Sequence, residues 1–576
     1  MQTPPPIPPD IITAELRPDL FGELRSLRFE RRALLIVLLG ILVLAGFWFR
    51  AAKLGAEGLS EDELNKLEAV ADFRAHGLTA KNGEHPFLMK GLQTISVSAA
   101  EFWDLGASSD PRLSELRVPV ETALRLPSAL FGAFTVLLIY LLAKQLFGRE
   151  AALISAALWA FDPQAIGFNR IAKEDTFLLF FFLLANVFWV RSQRVAEGEP
   201  DKNPEPYYWA TAAAYGAMVA SKYVPHLFAV SVSYNYIFQG LPTTRWRIGR
   251  KRYLIMMVIM GAIFLLCSPT ILLPDTWREM FAFASYQRVG HDSYEFMGTL
   301  YHHHLTDWLN GVPWYFYIVF TAVKLPPLTV VAFAVSLPLL FRRRLLGDGR
   351  YFVLLWMFCW FIAFTFVGGK FTRYFTTMLP AVLIAAALGI QFLARRCARL
   401  FAAVTAKLLI QIAIPLIVVL SAAWASFTSG PHYRLYTNAF GGGETRAGYY
   451  FPPDEFYDAA LRDAMLEVVR HAAPGARVAN EAPRVADFYA RQAGRSDLRC
   501  ISLSDELALA TLSTGDFVIA ERGRRYFSND ELLSVLGGTS EPAFRVPLGF
   551  VPAVDVYTLN QASLAVIVEH VSARRK

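Results

Sequence analysis

Runs of nearly unbroken apolar residues recur along this chain at lengths close to what a hydrocarbon layer requires. They fall at roughly 33–49, 122–147, 150–162, 171–190, 207–221, 223–239, 253–273, 313–341, 351–367, 374–394 and 404–424. Backbone N–H and C=O groups find no water inside a bilayer, so segments of this kind are helices whose hydrogen bonds close within the segment. The expected fold class is therefore a polytopic α-helical membrane protein with about 11 transmembrane helices. Pro225 and the Lys324–Pro327 stretch are expected to kink two of them. Composition agrees: 54% of the 576 residues are hydrophobic and 18% are charged, against about 25% charged in soluble domains.

The net charge of +7 sits in short clusters between the apolar runs. Arg25, Arg28, Arg31 and Arg32 precede the first run. Lys144 with Arg149, Arg191 with Arg194, the Arg245–Arg252 cluster, Arg342 to Arg344, and Arg395, Arg396 and Arg399 mark every second loop thereafter. That alternation is how positive charge orients spans. It predicts a cytoplasmic N-terminus and an extracytoplasmic C-terminus, and it leaves no basic face for nucleic acid. The sequence MQTPPPIPPD lacks the features of a cleaved signal, so the first run is expected to be a retained anchor. Cys267, Cys359, Cys397 and Cys500 have neither disulfide nor metal spacing.

Three parts are expected: a cytoplasmic tail (1–32), a transmembrane domain (33–424) with large outer loops at 51–121 and 274–312, and a small extracytoplasmic α/β domain (425–576). In the last part, apolar runs such as ARVANE and DFVIAE alternate with helical-looking stretches such as EFYDAALRDAMLEVVRHA. Its position makes it a candidate selector of the acceptor. No internal repeat is visible.

Chemistry-bearing residues gather on the outer side. SEDELNKLEAV carries Glu61, Asp62 and Glu63 at the start of an amphipathic helix. A carboxylate there suits a general base, while acids also simply complement a helix N-terminus. GEHPFLMKG carries Glu84, His85 and Lys90, with Pro86 holding His85 extended. FNRIAKED supplies Arg170, Lys173, Glu174 and Asp175; ASKYVPH supplies Lys222 and His226; GGKFTRY supplies Lys370, Arg373 and Tyr374. Ionisable groups at membrane depth are costly and usually mark a site, and several cations on one side suit a lipid phosphate; snorkelling to the interface is the plainer alternative. His291, Glu295 and His302 to His304 fall in the second long loop. Three adjacent histidines share no face, so they do not make a mononuclear site.

In order, these elements run: the acidic pair after the first span, HPxL with a following lysine, RLPSALFG, RxxxED, SKY, GHxSYxxxG, PWYFYxxxxxxKLPP with Lys324, and KFxRYFxxxxP. The set resembles the protein O-mannosyltransferases and, more broadly, the GT-C type transferases that include the aminoarabinose transferases of lipid A. The resemblance covers about residues 33–424 and extends weakly into PHYRLYTNAFGGG and YYFPPDEFYD. It implies an inverting sugar transfer from a polyprenyl-phosphate-linked donor to a protein, lipid or glycan hydroxyl on the extracytoplasmic face of a bacterial inner membrane. It further implies Asp62 as base, with Glu63 as its partner or substitute, and Arg170, Lys222, Lys370 and Arg373 toward the donor phosphate. Glu174, Asp175, Lys324 and Tyr374 are secondary candidates. His85 and Pro86 match the family's HPP element, with Phe87 in place of the second proline. Glu84, His85 and His291 are implied toward the acceptor. A divalent cation is the candidate cofactor, held by Glu84 with His85 or, as the aminoarabinose branch implies, by Glu84 with His291. A transporter or flippase of lipid-linked sugars is the rival reading from another class.

Overall fold

The computed structural model describes residues 28–108, 116–198, 201–234, 237, 244–285, 292–304, 307–342 and 349–574. His291 lies outside the described residues. Among those described, five helices are long and apolar enough to cross a membrane: Ala33–Ala51, Val120–Phe147, Asp175–Gly198, Leu379–Ala398 and Val404–Ser429. Arg149–Phe161 and Pro163–Asn169 form a sixth, broken by a 60° bend. At the bend the Asp162 side chain accepts from Ala165 N and Pro163 opens the second helix, which is how a chain restarts a helix in a new direction. Further apolar helices, Arg250–Cys267, Pro327–Leu340 and Gly349–Thr365, complete a polytopic helical membrane protein. The KLPP stretch ends one helix at Lys324 and begins the next at Pro327.

Burial separates the spans into inner and outer ones. In Val120–Phe147, Asp175–Gly198 and Leu379–Ala398, 67–72% of the apolar window is buried, against 22% in Ala33–Ala51 and 11% in Val404–Ser429. The outer pair shows its leucines and isoleucines outward, as lipid-facing helices do. Leu379–Ala398 approaches the helix Pro327–Leu340 closely through glycine and alanine; a Cβ on Gly389 would collide with the Ala332 carbonyl.

Outside the spans lie the elements that carry the long loops and the C-terminal part. The loop after the first span enters a helix at Glu61–His76, capped by Ser60 in a reciprocal box with Glu63, and then a helix at Phe87–Ser108. A hairpin pairs β1 (Ser293–Phe296) with β2 (Thr299–His302). After residue 430 the chain builds a five-stranded sheet from β3 (Arg477–Asn480), β4 (Arg499–Ser502), β5 (Phe517–Glu521), β6 (Phe544–Leu548) and β7 (Val551–Thr558). The order is β4-β3-β5-β7-β6, parallel across β4, β3 and β5 and antiparallel for β7 and β6. ARVANE and DFVIAE become the adjacent central strands β3 and β5. The stretch from Glu455 to His471 differs from its helical appearance: a short helix Pro452–Phe456 stops, Tyr457 and Asp458 take left-handed backbone angles (φ 47° and 58°), and a second helix runs Leu461–His471.

This C-terminal part is fastened to the first long loop. Gly58 N donates to Ala459 O (2.9 Å), Leu59 N to the Tyr489 hydroxyl (2.6 Å), and Arg462 to the carbonyls of Gly55 and Ala56 (2.8 Å each). Glu57 receives Arg434 at 2.7 Å. It also grips the hairpin, where Asp292 accepts from the amides of Phe527 and Ser528 (3.1 and 3.0 Å).

Candidate active site

Asp62 stands in the first turn of the Glu61–His76 helix, with its side chain 37% exposed. Its Oδ2 lies 2.5 Å from Lys173 Nζ and 3.8 Å from Arg373 Nη2, and accepts from the Tyr457 hydroxyl at 3.1 Å. Burial alone would raise this carboxyl, but Lys173, then Arg373 and Lys66, outweigh it and hold Asp62 well below the usual carboxylate range. Asp62 is therefore ionised. Burial in turn lowers the Lys173 ammonium to about 8, opposed by Asp62.

The RIAKED segment that brings Lys173 here sorts three consecutive charged residues among four partners. Lys173 meets Asp62; Glu174 meets Lys66 at 3.0 Å and His85 Nδ1 at 3.4 Å; Asp175 meets Lys222 at 2.6 Å. Such buried acids persist in ionised form only when paired. The Tyr374 ring lies between two cations, its centroid 4.9 Å from Lys222 Nζ and 5.8 Å from the Arg373 guanidinium. Arg373 also faces Asp454 at 3.4 Å, which accepts from Tyr294 and from Thr372 N at 2.7 Å each. Phe168, Ile171, Thr372, Arg373, Arg434, Asp454 and Tyr457 line one narrow crevice. An ionised, partly open acid thus sits among cations at the end of the bundle where the spans stop.

The candidates named from sequence divide into two groups. Asp62, His85, Glu174, Asp175, Lys222, Arg373 and Tyr374 come together as described. Glu63, Arg170, Lys324 and Lys370 are spent elsewhere. Glu63 is fully buried; it accepts from Arg125 Nε and Nη2 (2.8 and 2.7 Å), Ala172 N (2.9 Å) and Ser60 N (3.0 Å). Both oxygens are saturated, so its place is that of a capping and bracing acid rather than of a substitute base. Arg170 donates to the carbonyls of Phe49, Arg50, Ala52 and Lys53 at 2.7–3.2 Å, closing the C-terminal turn of the first span. These bonds turn its guanidinium toward the backbone of the first span's end. Lys370 donates to Val312 O (2.8 Å) and to Val367 O. Lys324 is buried against Glu455 (2.6 Å) and the carbonyls of Arg434 and Tyr436 (3.0 and 2.8 Å). Glu84 accepts from Asn82 at 2.6 Å. Among the described residues no group of three or more His, Cys, Asp or Glu is arranged to hold a metal ion, and the pairing of Glu84 with His291 falls outside them.

Residues that sequence reading did not single out as site members are Lys66, Asp454 and Tyr457. YYFPPDEFYD carried a weak signal for the last two; Lys66 carried none, being one lysine of an amphipathic helix. The occupied state of Arg170 leads to a test. Arg170→Ala removes four charge-assisted bonds to carbonyls at and just after the end of the first span, and should cost about 3 kcal/mol of stability while leaving the affinity for polyprenyl phosphate unchanged. Thermal melting in detergent and lipid-phosphate titration read the two effects separately.

Known proteins resemble this chain at several levels. A family model described as dolichyl-phosphate-mannose-protein mannosyltransferase matches residues 113–272. The putative mannosyltransferase YkcB of Bacillus subtilis (strain 168) is 40% identical over 74 residues, 13% of this chain and only 10% of that protein. The crystal structure of ArnT from Cupriavidus metallidurans in the apo state superposes with a TM-score of 0.50 at 15% identity, over 93% of this chain and 99% of that one. AglB, the archaeal oligosaccharyltransferase of Archaeoglobus fulgidus, in complex with an inhibitory peptide and a dolichol-phosphate, superposes with a TM-score of 0.51 at 11% identity, over 86% and 70%.

Proposed function

We propose that this chain, whose fold is that of the GT-C glycosyltransferases, is an inverting transferase that moves a sugar from a polyprenyl-phosphate donor to a hydroxyl acceptor. The observation that carries the reading is Asp62: an ionised and partly open carboxylate 2.5 Å from Lys173 and 3.8 Å from Arg373, at the end of the spans. The lipid phosphate in the AglB complex supports the class of donor.

The chemistry follows from those groups. The acceptor oxygen attacks C1 of the sugar from the side opposite the phosphate while Asp62 takes its proton. The C1–O bond to phosphate breaks, and the electron pair leaves with the phosphate. Arg373 and Lys222 stabilise the charge that grows there. One displacement inverts C1, and a single base suffices. The donor is proposed to arrive through the extracytoplasmic leaflet of a bacterial inner membrane, with the N-terminus cytoplasmic and the C-terminal domain outside; the alternation of basic loops supports that orientation. Mannose is supported by the family match over residues 113–272. Membrane lipids surround the spans, and the acceptor is a protein or a lipid or glycan.

Purified protein in vesicles, given polyprenyl-phosphate mannose and hydroxyl acceptors, should release polyprenyl phosphate together with an α- or β-linked product of inverted configuration. Retention of configuration, or movement of intact donor across the vesicle without cleavage, would refute the reading; the second result would favour the flippase.

A further inference from the structure

The reaction proposed above draws its base from the first loop and its cations from the ends of the spans. A third contributor reaches the same atoms from the part of the chain that follows the last span. We propose that Tyr457 is a positioning residue for Asp62, so that the C-terminal domain completes the catalytic centre rather than only overlooking it. This rests on the transferase reading.

Three observations lead there. The Tyr457 hydroxyl donates to Asp62 Oδ2 at 3.1 Å, the same oxygen that Lys173 holds. With Oδ2 engaged from two directions, the carboxylate is fixed in rotation and Oδ1 is left to face an acceptor. Second, the backbone is bent to make this contact. Tyr457 and Asp458 are consecutive non-glycine residues in left-handed conformation, in a stretch whose pattern otherwise favours one continuous helix. Such conformations are strained for non-glycine residues and persist where the surroundings impose them. Third, the surroundings do impose it. Asp458 receives Arg524 through two bonds (2.7 and 2.6 Å) and Glu61 N at 3.0 Å, tying the bend to the first turn of the helix that carries Asp62. The Tyr457 ring is wedged between Arg434 and Arg373, 5.2 and 5.9 Å from their guanidinium carbons. Burial, with Asp62 beside it, raises the Tyr457 hydroxyl well above its usual value, so it stays protonated and can only donate to the carboxylate.

The effect on Asp62 has a definite sign. A bond donated to the charged form favours that form, so removing it moves the acid upward. The groups acting on Asp62 are Lys173 from the RIAKED segment, Arg373 from the Thr372–Thr377 turn, Lys66 and Glu61 from its own helix, and His85 from the loop ahead of the next helix. None of them changes in Tyr457→Phe.

The test compares Tyr457→Phe and Tyr457→His with wild type and Asp62→Asn, using polyprenyl-phosphate mannose and an acceptor that wild type accepts. Tyr457→Phe keeps the ring and its packing; kcat should fall about 10-fold or more, KM for the donor should hold, and the acidic limb of the pH–rate profile should move to higher pH. Tyr457→His keeps a donor near Oδ2 and should recover part of the rate. Unchanged kcat and an unmoved acidic limb in Tyr457→Phe would overturn the proposal. So would wild-type rates in both Phe and His, which would mark the ring alone as what matters. If the transferase reading itself fails, wild type shows no turnover; if only this inference fails, Asp62→Asn is inactive and Tyr457→Phe is normal.

Discussion

Asp62→Asn should lose 10²- to 10⁴-fold, roughly the full contribution of a positioned general base, while the protein folds and still binds polyprenyl phosphate. The fold should survive because an asparagine carbonyl can accept the same two bonds, from Lys173 and from the Tyr457 hydroxyl. Neither partner becomes an orphan, although Lys173 loses a charged one. Binding should strengthen if it changes at all. Arg373 and Lys173 are drawn toward the carboxylate in the wild type, and neutralising it removes a competitor for the phosphate. Single-turnover release of polyprenyl phosphate, set beside direct titration with the same lipid, separates the two effects. Near-normal turnover would remove Asp62 from the base role, and loss of binding together with turnover would make it a structural acid.

Its sequence neighbour should behave in the opposite manner. Glu63→Ala leaves Arg125 buried with only the carbonyls of Leu54, Glu57 and Gly58 as partners. It also opens the capping box at Ser60 and frees Ala172 N. Removing one member of a buried pair costs about 3–5 kcal/mol because the other charge remains. Activity should vanish through instability: melting in detergent should drop steeply, and the little folded protein at low temperature should retain donor affinity. A Glu63→Ala protein that melts like wild type but does not turn over would instead return Glu63 to the catalytic centre.

That contrast shows how far the chain could be read unaided. The cluster Glu61, Asp62 and Glu63 marks a helix start near a membrane, and local chemistry accounts for the cap. Which acid meets Lys173 and Arg373 depends on helix rotation against Arg125 on the second span and against RIAKED, and no local pattern encodes that. Arg170 and Arg373 look alike in sequence, each a lone arginine at the end of an apolar run. One donates to four carbonyls at and just after the end of the first span, the other stays beside Asp62, and only the packing distinguishes them. Tyr457 was hidden for a further reason: periodicity favoured a helix through it, and the bend that aims it is imposed by Asp458 and Arg524, 66 residues apart.

The amino-acid sequence on its own determined that this is a polytopic helical membrane protein, because solubility in hydrocarbon is a sum over neighbouring residues and needs no knowledge of the fold. It also determined which short segments carry ionisable groups at span ends. The tertiary structure alone decided which of those groups share a site. Asp62 meets Lys173, Arg373 and, 395 residues away, Tyr457, and whether a buried charge is a tool or a brace is set by partners that only folding brings within hydrogen-bond reach.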